Sequence, residues 1–218
     1  VVVDTKKGIG AVMEAQAKKI GVFWNSFAQN FGPWARYIKK LRRLWPAPSL
    51  HRFSSFERPV DAPRPNDLFA RVIKNYARAT ISWQRKETLR RIAAPSNPLS
   101  HRAYMREMAK SRAVLSPFGW GEINLRDYET FMAGAALVKP SMDHIETWPN
   151  FWKPEDSYLP LAWDFSDFDD VIEQVRKDND LTRKIAKTGQ QIWRHYTTGP
   201  AAKDQFIDRI VSVFQGTT

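Results

Sequence analysis

Short apolar runs alternate with longer segments of helical periodicity along the chain from residue 67 onward. The apolar runs predict strands at 68–73, 113–115, 136–138 and 158–163. Apolar positions three and four residues apart predict helices at 80–93, 100–112, 125–133, 167–175, 181–196 and 206–214, with Ser100 and Ser166 as N-caps. Because strands that alternate with helices usually form a parallel sheet, we expect an α/β fold with a parallel sheet flanked by helices.

The loop after the second predicted strand combines features of a ligand-binding turn. Pro117 cannot donate a ladder hydrogen bond, so the strand should end before it. Gly119 and Gly121 allow the loop backbone to approach a ligand closely. Ligands of open α/β sheets usually bind where the carboxyl end of a strand is followed by a helix start. The loop is therefore the first candidate for a functional site.

The helix that follows this loop should begin near Leu125. Asn124 is a good N-cap, and Asp127 occupies the third helical position, where it can complete a capping box. Residues at helical spacing predict one stripe packed on the sheet, namely Leu125, Tyr128, Phe131, Met132 and Ala135. Glu122, Arg126 and Glu129 are spaced by four and three, which predicts a shared lateral face near the ligand end. Gly134 should end the helix, and Lys139 and His144 follow the third strand toward the same edge.

The composition excludes several classes of protein. The chain has 218 residues and nine Trp, enough for one full domain with an appendage. It has no Cys, which excludes disulfides, thiolate metal sites and a cysteine nucleophile. Four scattered His without metal-ligand spacing predict no metal site, and no Walker loop or nucleophile elbow is present. We expect no cofactor, no membrane-spanning helix and a cytoplasmic location, and a start at Val1 rather than Met suggests a fragment.

The positive charge is concentrated at the start of the chain. The net charge is +11, and residues 1–66 hold 12 Lys or Arg against 4 Asp or Glu. Within them, 31–45 predicts a basic amphipathic helix with Trp34 and Trp45 on its apolar face. This helix could contact anionic lipid or nucleic acid through 34–45, although packing on the domain with a solvated basic face is the interpretation we favour. Prolines between 46 and 65 predict an extended linker, which divides the chain into a basic segment and linker (1–64) and a domain (65–218).

The sequence at 116–141 resembles that of a known enzyme family. Ser-Pro-Phe-Gly-Trp-Gly-Glu-Ile (116–123), Arg-Asp-Tyr-Glu-Thr-Phe-Met-Ala-Gly-Ala (126–135) and a strand ending in Lys-Pro are similar to the donor-binding half of GT-B glycosyltransferases, close to the group 1 and exostosin-like enzymes. The C-terminal helices fit the usual ending of that domain. The resemblance covers about 64–215. It implies a Rossmann-like domain that binds a nucleotide-diphosphate sugar as substrate and, with an N-terminal domain outside this chain, transfers glycosyl groups to a polysaccharide, lipid or other glycan.

The resemblance also implies roles for individual residues. Glu129 matches the helix-borne glutamate that accepts hydrogen bonds from the ribose hydroxyls. The loop from Gly119 to Asn124, including Trp120 and Gly121, would approach the diphosphate or the sugar, with Arg126 and Lys139 nearby. Arg71, Arg78 and Arg85 are candidates for the phosphate clamp. The catalytic role falls to Glu122, although many retaining members have seven residues between their two glutamates and this chain has six, so the stereochemical outcome stays open.

Two other functions fit the same sequence. A non-catalytic basic α/β module could bind nucleic acid or an acidic surface through Arg36 to Arg43. A degenerate transferase domain could instead serve as a platform for partner proteins. Structural roles for the candidate residues are also open: Glu129 could pair with Arg126 on a solvated face, and Trp120 could anchor its loop on the core.

Overall fold

The structure is a computed structural model that describes residues 57–73, 79–92, 95, 97–119, 121–202, 204–206 and 208–209. The predicted basic helix at 31–45 and the candidate residues Arg78 and Trp120 lie outside this part of the chain.

The described residues form an α/β fold around one parallel sheet. Its strands are β1 (Asn66–Phe69), β2 (Ser111–Leu115), β3 (Ala136–Pro140) and β4 (Tyr158–Leu161). They lie side by side in chain order, and all three neighbouring pairs are parallel. The helices are α1 (Ala79–Arg91), α2 (His101–Met108), α3 (Leu125–Ala133), α4 (Phe168–Lys177) and α5 (Asn179–Thr197). This arrangement confirms the predicted parallel sheet with flanking helices.

Helices cover both faces of the sheet because its strands carry apolar residues on both sides. One core joins the inward side of α3 to the aromatic residues of the β3–β4 connection, including Tyr128, Phe151 and Trp152. A second core joins Val138 and its neighbours to α4. The long helix α5 contributes Ile185 to the second core and Trp193 to the first. All four strands thus end at one edge of a sheet that is buried between helical layers.

Several helix and strand boundaries differ from the predicted ones, because strand pairing overrides the local preference of the residues. The helix predicted to reach residue 112 ends at Met108, because Ser111 and Arg112 belong to β2 and Ser111 pairs with Asn66. The strand predicted at 68–73 is found at Asn66–Phe69, where β2 offers partners for its backbone. The predicted cap Ser100 is confirmed, and its hydroxyl accepts a hydrogen bond from the Ala103 N–H at 3.3 Å.

Two predictions about side chains were wrong. Asp167, not Ser166, occupies the N-cap position of α4, and its carboxylate accepts a hydrogen bond from the Ala162 N–H just after β4 rather than from the helix. Leu125 does not pack on the sheet with its predicted stripe and is 46% exposed, since the first turn of α3 opens onto a cleft. Among the described residues, no helix is long and apolar enough to cross a membrane.

Candidate functional site

A cleft of about 180 Å³ opens at the carboxyl edge of the sheet, between the exit of β2 and the start of α3. Four of the predicted site residues line this cleft: Arg85, Asn124, Arg126 and Glu129. Four further residues complete its wall, namely Tyr104, Ser116, Pro117 and Leu125. The fold thus brings together residues from α1, α2, the loop after β2 and α3.

The loop after β2 is anchored to α1 through its backbone. The Phe118 N–H donates to Gln84 Oε1 at 3.0 Å, and Arg85 Nε donates to the Phe118 carbonyl at 3.2 Å. Gly119 lies close to Asn124, because a Cβ at this position would lie 2.5 Å from Asn124 Oδ1 and would force that side chain to shift. A Cβ on Gly121 would meet no described atom within 4 Å, so this glycine faces open space. The predicted glycine-rich turn therefore contains one glycine in close contact with Asn124 and one that faces open space.

The start of α3 is fixed by its capping residues, as predicted. Asn124 is the N-cap, and the Asp127 carboxylate accepts a hydrogen bond from the Asn124 N–H at 3.2 Å. Gly134 ends the helix in the left-handed conformation with φ of 65°, which a Cβ disfavours. The N-terminal end of α3, where the helix dipole is positive, therefore faces the cleft.

A buried ion pair lies behind the start of α3. Lys139 Nζ is 3.1 Å from Asp127 Oδ2, and both side chains are fully buried. Asp127 Oδ1 accepts a second hydrogen bond from the Ser116 hydroxyl at 2.6 Å, while Lys139 Nζ also donates to the Glu122 carbonyl at 2.5 Å. Burial lowers the pKa of Lys139, and the Asp127 carboxylate opposes this shift. Lys139 was predicted to bind the donor. It instead connects β3 to the loop before α3 through the Glu122 carbonyl and does not line the cleft.

Arg126 is held at the mouth of the cleft by α2 and β2. Its Nε donates to the Tyr104 hydroxyl at 3.0 Å and its Nη1 to the Leu115 carbonyl at 3.2 Å. Burial raises the pKa of Tyr104 to about 12, so the phenol stays protonated and can accept the Arg126 hydrogen bond. The position of the Arg126 guanidinium is therefore fixed before any ligand arrives.

Glu129 is a largely buried carboxylate in the wall of the cleft. Its side chain is 12% exposed, and its Oε1 lies 3.6 Å from His101 Nε2. Burial raises the pKa of Glu129, while His101 and Arg126 act in the opposite direction. Among the described residues, the basic side chain nearest to Glu129 is thus His101 on α2. The pairing with Arg126 that a solvated helix face would favour is not formed.

The remaining predicted residues lie apart from the cleft wall. Arg71 donates from Nε to both carboxylate oxygens of Glu107, at 2.8 and 2.9 Å, and is engaged at the end of α2. Glu122 lies in the loop before α3, with its side chain 31% exposed, and does not line the cleft. Of the two candidate arginines of the phosphate clamp that the structure describes, Arg85 lines the cleft and Arg71 does not.

Sequence reasoning missed Tyr104 and His101 as neighbours of the site. Both lie on α2, more than twenty residues before Arg126 and Glu129, and no spacing rule connects them. It also missed the Lys139–Asp127 pair. The signal for that pair was present, because a lysine at the end of a continuous apolar run needs a buried partner.

A larger cavity of about 390 Å³ lies at the opposite, amino edge of the sheet. Its arginines are engaged within the protein: Arg112 bonds Asp67 and Asn179, and Arg183 pairs with Asp61. Arg112 and Arg183 are thus neutralised by carboxylates of the protein, whereas Arg126 in the smaller cleft bonds a hydroxyl and a carbonyl oxygen.

Among the described residues, no group of three His, Asp or Glu side chains is arranged to hold a metal ion. No protein-family model matches the chain, and no curated protein is significantly similar to it. The resemblance to glycosyltransferases therefore rests on the sequence alone, and its most specific part is 116–141.

Proposed function

We propose that this chain is the donor-binding domain of a GT-B glycosyltransferase and that the cleft between β2 and α3 binds part of a nucleotide-diphosphate sugar. The observation that carries the proposal is the convergence of Arg85, Asn124, Arg126 and Glu129 on one cleft at the carboxyl edge of a parallel sheet. In open α/β sheets, ligands bind at this edge.

The chemistry of the cleft suits a nucleotide. The Glu129 carboxylate can accept hydrogen bonds from both hydroxyls of a ribose, because an ionised carboxylate is an acceptor with two oxygens. Arg85, Arg126 and the positive end of α3 favour a diphosphate. Fixed cationic and backbone donors of this kind stabilise the charge that develops on a leaving diphosphate.

The size of the cleft bears on how much of the donor it holds. Pockets that enclose a whole drug-sized ligand usually measure about 300–1,000 Å³. The cleft of about 180 Å³ is smaller and accommodates only part of a nucleotide sugar. This agrees with a site whose other wall belongs to a second domain, as the GT-B proposal requires.

Binding of UDP and GDP tests the proposal through the melting temperature of the chain. We expect one of them to raise it, and Glu129→Ala to weaken binding about 10- to 100-fold, since a hydrogen bond to a charged group contributes about 1.5–3 kcal/mol. Arg71→Ala is the matched control, because Arg71 is engaged with Glu107 away from the cleft. No shift with either nucleotide would overturn the proposal.

The two loop glycines give a second, independent arm of this test. Gly121→Ala should leave the melting temperature of the free chain unchanged but weaken nucleotide binding, because the added methyl group enters open space beside the loop. Gly119→Ala should destabilise the free chain, because its Cβ would clash with Asn124. If Gly121→Ala binds nucleotide as well as the wild type, the loop does not contact the diphosphate.

The nucleic-acid alternative rests on Arg36 to Arg43, which lie outside the described residues, and stays a prediction. It has a different signature, because affinity for nucleic acid would fall steeply with salt and follow those charges rather than Glu129.

A further inference from the structure

The backbone of Glu122 is held by a residue near the end of β3. Lys139 Nζ donates to the Glu122 carbonyl at 2.5 Å and is itself fixed by the buried Asp127 carboxylate. The same Lys139 ammonium lies 4.8 Å from the centre of the Phe118 ring, in the same loop. The loop thus has a fixed backbone at residue 122, although Glu122 precedes the first turn of α3.

The carboxylate of Glu122 faces a residue of the loop that follows β3. His144 Nε2 lies 3.8 Å from Glu122 Oε1, and the His144 side chain is 3% exposed whereas that of Glu122 is 31% exposed. The His144 ring stands edge-on against Trp163, with centroids 4.7 Å apart. His144 is therefore a buried imidazole placed behind a carboxylate that reaches solvent.

The His144 ring is unusual because neither of its nitrogens has a hydrogen-bond partner among the described residues. A buried polar group without a partner destabilises the fold, because it has lost its hydrogen bonds to water. An approach of about 1 Å would bring Nε2 and Glu122 Oε1 to hydrogen-bond distance. Hydrogen bonds of this kind are often long in the free protein and shorten when a ligand binds.

We propose that His144 is a positioning residue that directs the Glu122 carboxylate toward a hydroxyl of the sugar carried by the nucleotide. A hydrogen bond from the imidazole to Oε1 orients the carboxylate and leaves Oε2 to accept a sugar hydroxyl. Lys139 and His144, five residues apart, would then fix the backbone and the side chain of the same residue. This inference rests on the proposed function, and it adds a sugar subsite beyond the cleft that contains Glu129.

The pair predicts a selective effect on the sugar half of the ligand. Calorimetry on the full chain compares UDP with UDP-glucose, UDP-galactose and UDP-N-acetylglucosamine, and GDP with GDP-mannose. In the wild type, one nucleotide sugar should bind more tightly than its own diphosphate. His144→Phe, which keeps a ring against Trp163, should reduce binding of that sugar about tenfold and change binding of the diphosphate less than twofold.

Three variants separate positioning from simple structural support. His144→Gln places an amide nitrogen near the Nε2 position and should restore most of the affinity. Glu122→Gln should reproduce the selective loss, and adding His144→Phe to it should cause no further loss, since His144 acts through Glu122. His195→Phe, at an exposed position, is the matched control and should bind like the wild type.

The outcomes distinguish this inference from the proposed function. If no nucleotide binds, both fail. If a diphosphate binds but none of its sugars binds more tightly, or if His144→Phe weakens diphosphate and sugar equally, the positioning role fails while the nucleotide site stands. Additive losses in the double variant would likewise exclude action through Glu122.

Discussion

At the scale of the residue, Glu129 shows how burial and charge compete in the candidate site. The carboxyl group is removed from water, which favours its neutral form, while His101 at 3.6 Å and Arg126 favour the ionised form. Burial is the larger effect and raises the pKa of Glu129 above its usual 4.5. A nucleotide ribose needs the ionised carboxylate, so ligand binding has to work against the environment that the free protein provides.

This competition predicts a pH dependence of binding. Affinity for the nucleotide sugar should fall as the pH is lowered. The fall should begin at a higher pH than for a site with an ordinary glutamate, because the raised pKa makes Glu129 bind its proton at a higher pH. Calorimetry across pH with a nucleotide sugar is suited to this measurement, since its two phosphates do not titrate in that range. Glu129→Gln should bind more weakly, and its affinity should no longer fall with pH in this range. His101→Gln should shift the fall in affinity to higher pH, because His101 lowers the pKa of Glu129. A fall in affinity unchanged in both variants would assign the titration to another group.

Stability of the free chain should change in the opposite direction. Because the folded state holds the Glu129 proton more tightly than the unfolded state, the contribution of this group to stability grows as the pH falls from the raised pKa toward 4.5. Glu129→Gln should remove that part of the pH dependence and be no less stable than the wild type at neutral pH.

At the scale of the element, the Lys139–Asp127 pair couples β3 to the start of α3. The pair contributes to the cap of α3 through Asn124, to the exit of β2 through Ser116 and to the loop through the Glu122 carbonyl. The position of the helix start relative to the strand ends therefore depends on one buried ion pair. The cleft lies directly in front of this junction.

Removal of one partner should be costly because it leaves a buried charge without compensation. Lys139→Met should lower the free energy of unfolding by about 3–5 kcal/mol, measured by urea denaturation. The double variant Lys139→Met with Asp127→Asn should recover part of this loss, since no buried charge then remains. Lys153→Met, at an exposed position, is the control. A Lys139→Met variant as stable as the control would show that the pair is not a structural requirement.

At the scale of the whole molecule, the segment 57–65 is packed against the sheet domain. The guanidinium of Arg64 donates to five backbone carbonyls, which belong to Pro59, Val60, Ala109, Ser111 and Ala133. Gln190 on α5 also donates to the Arg58 carbonyl at 2.8 Å. Residues that the predicted division assigns to a linker thus contact the ends of α2 and α3. Burial lowers the pKa of Arg64 to about 10, which leaves it charged at neutral pH.

Loss of this anchor should destabilise the whole fold. Arg64→Ala should reduce the free energy of unfolding by at least about 3 kcal/mol, because several charge-assisted hydrogen bonds disappear together. Arg194→Ala provides the comparison: its partially exposed ion pair with Glu57 should contribute less than about 1 kcal/mol. Equal effects in the two variants would mean that the segment is only loosely attached to the domain.

Local rules predicted the elements around the site well and the contacts across it poorly. Asn124 as N-cap, Gly134 as the end of α3 and the parallel sheet follow from short-range chemistry and periodicity, and the structure confirms them. The exposure of Leu125 and the strand conformation of Ser111 depend on neighbours far away in the chain. The same is true of Tyr104 and His101, whose relation to Arg126 and Glu129 exists only once α2 packs against α3.

The sequence by itself determined the order of strands and helices and the turn at 116–124, because these depend on backbone preferences and on apolar spacing within a few residues. Only the tertiary structure decided which charged residues face the cleft. Arg85 and Arg126 line the cleft. Arg71 instead pairs with Glu107, and Lys139 pairs with Asp127. The reason is physical: a charged side chain that leaves water needs a partner, and the fold determines which partner comes within reach.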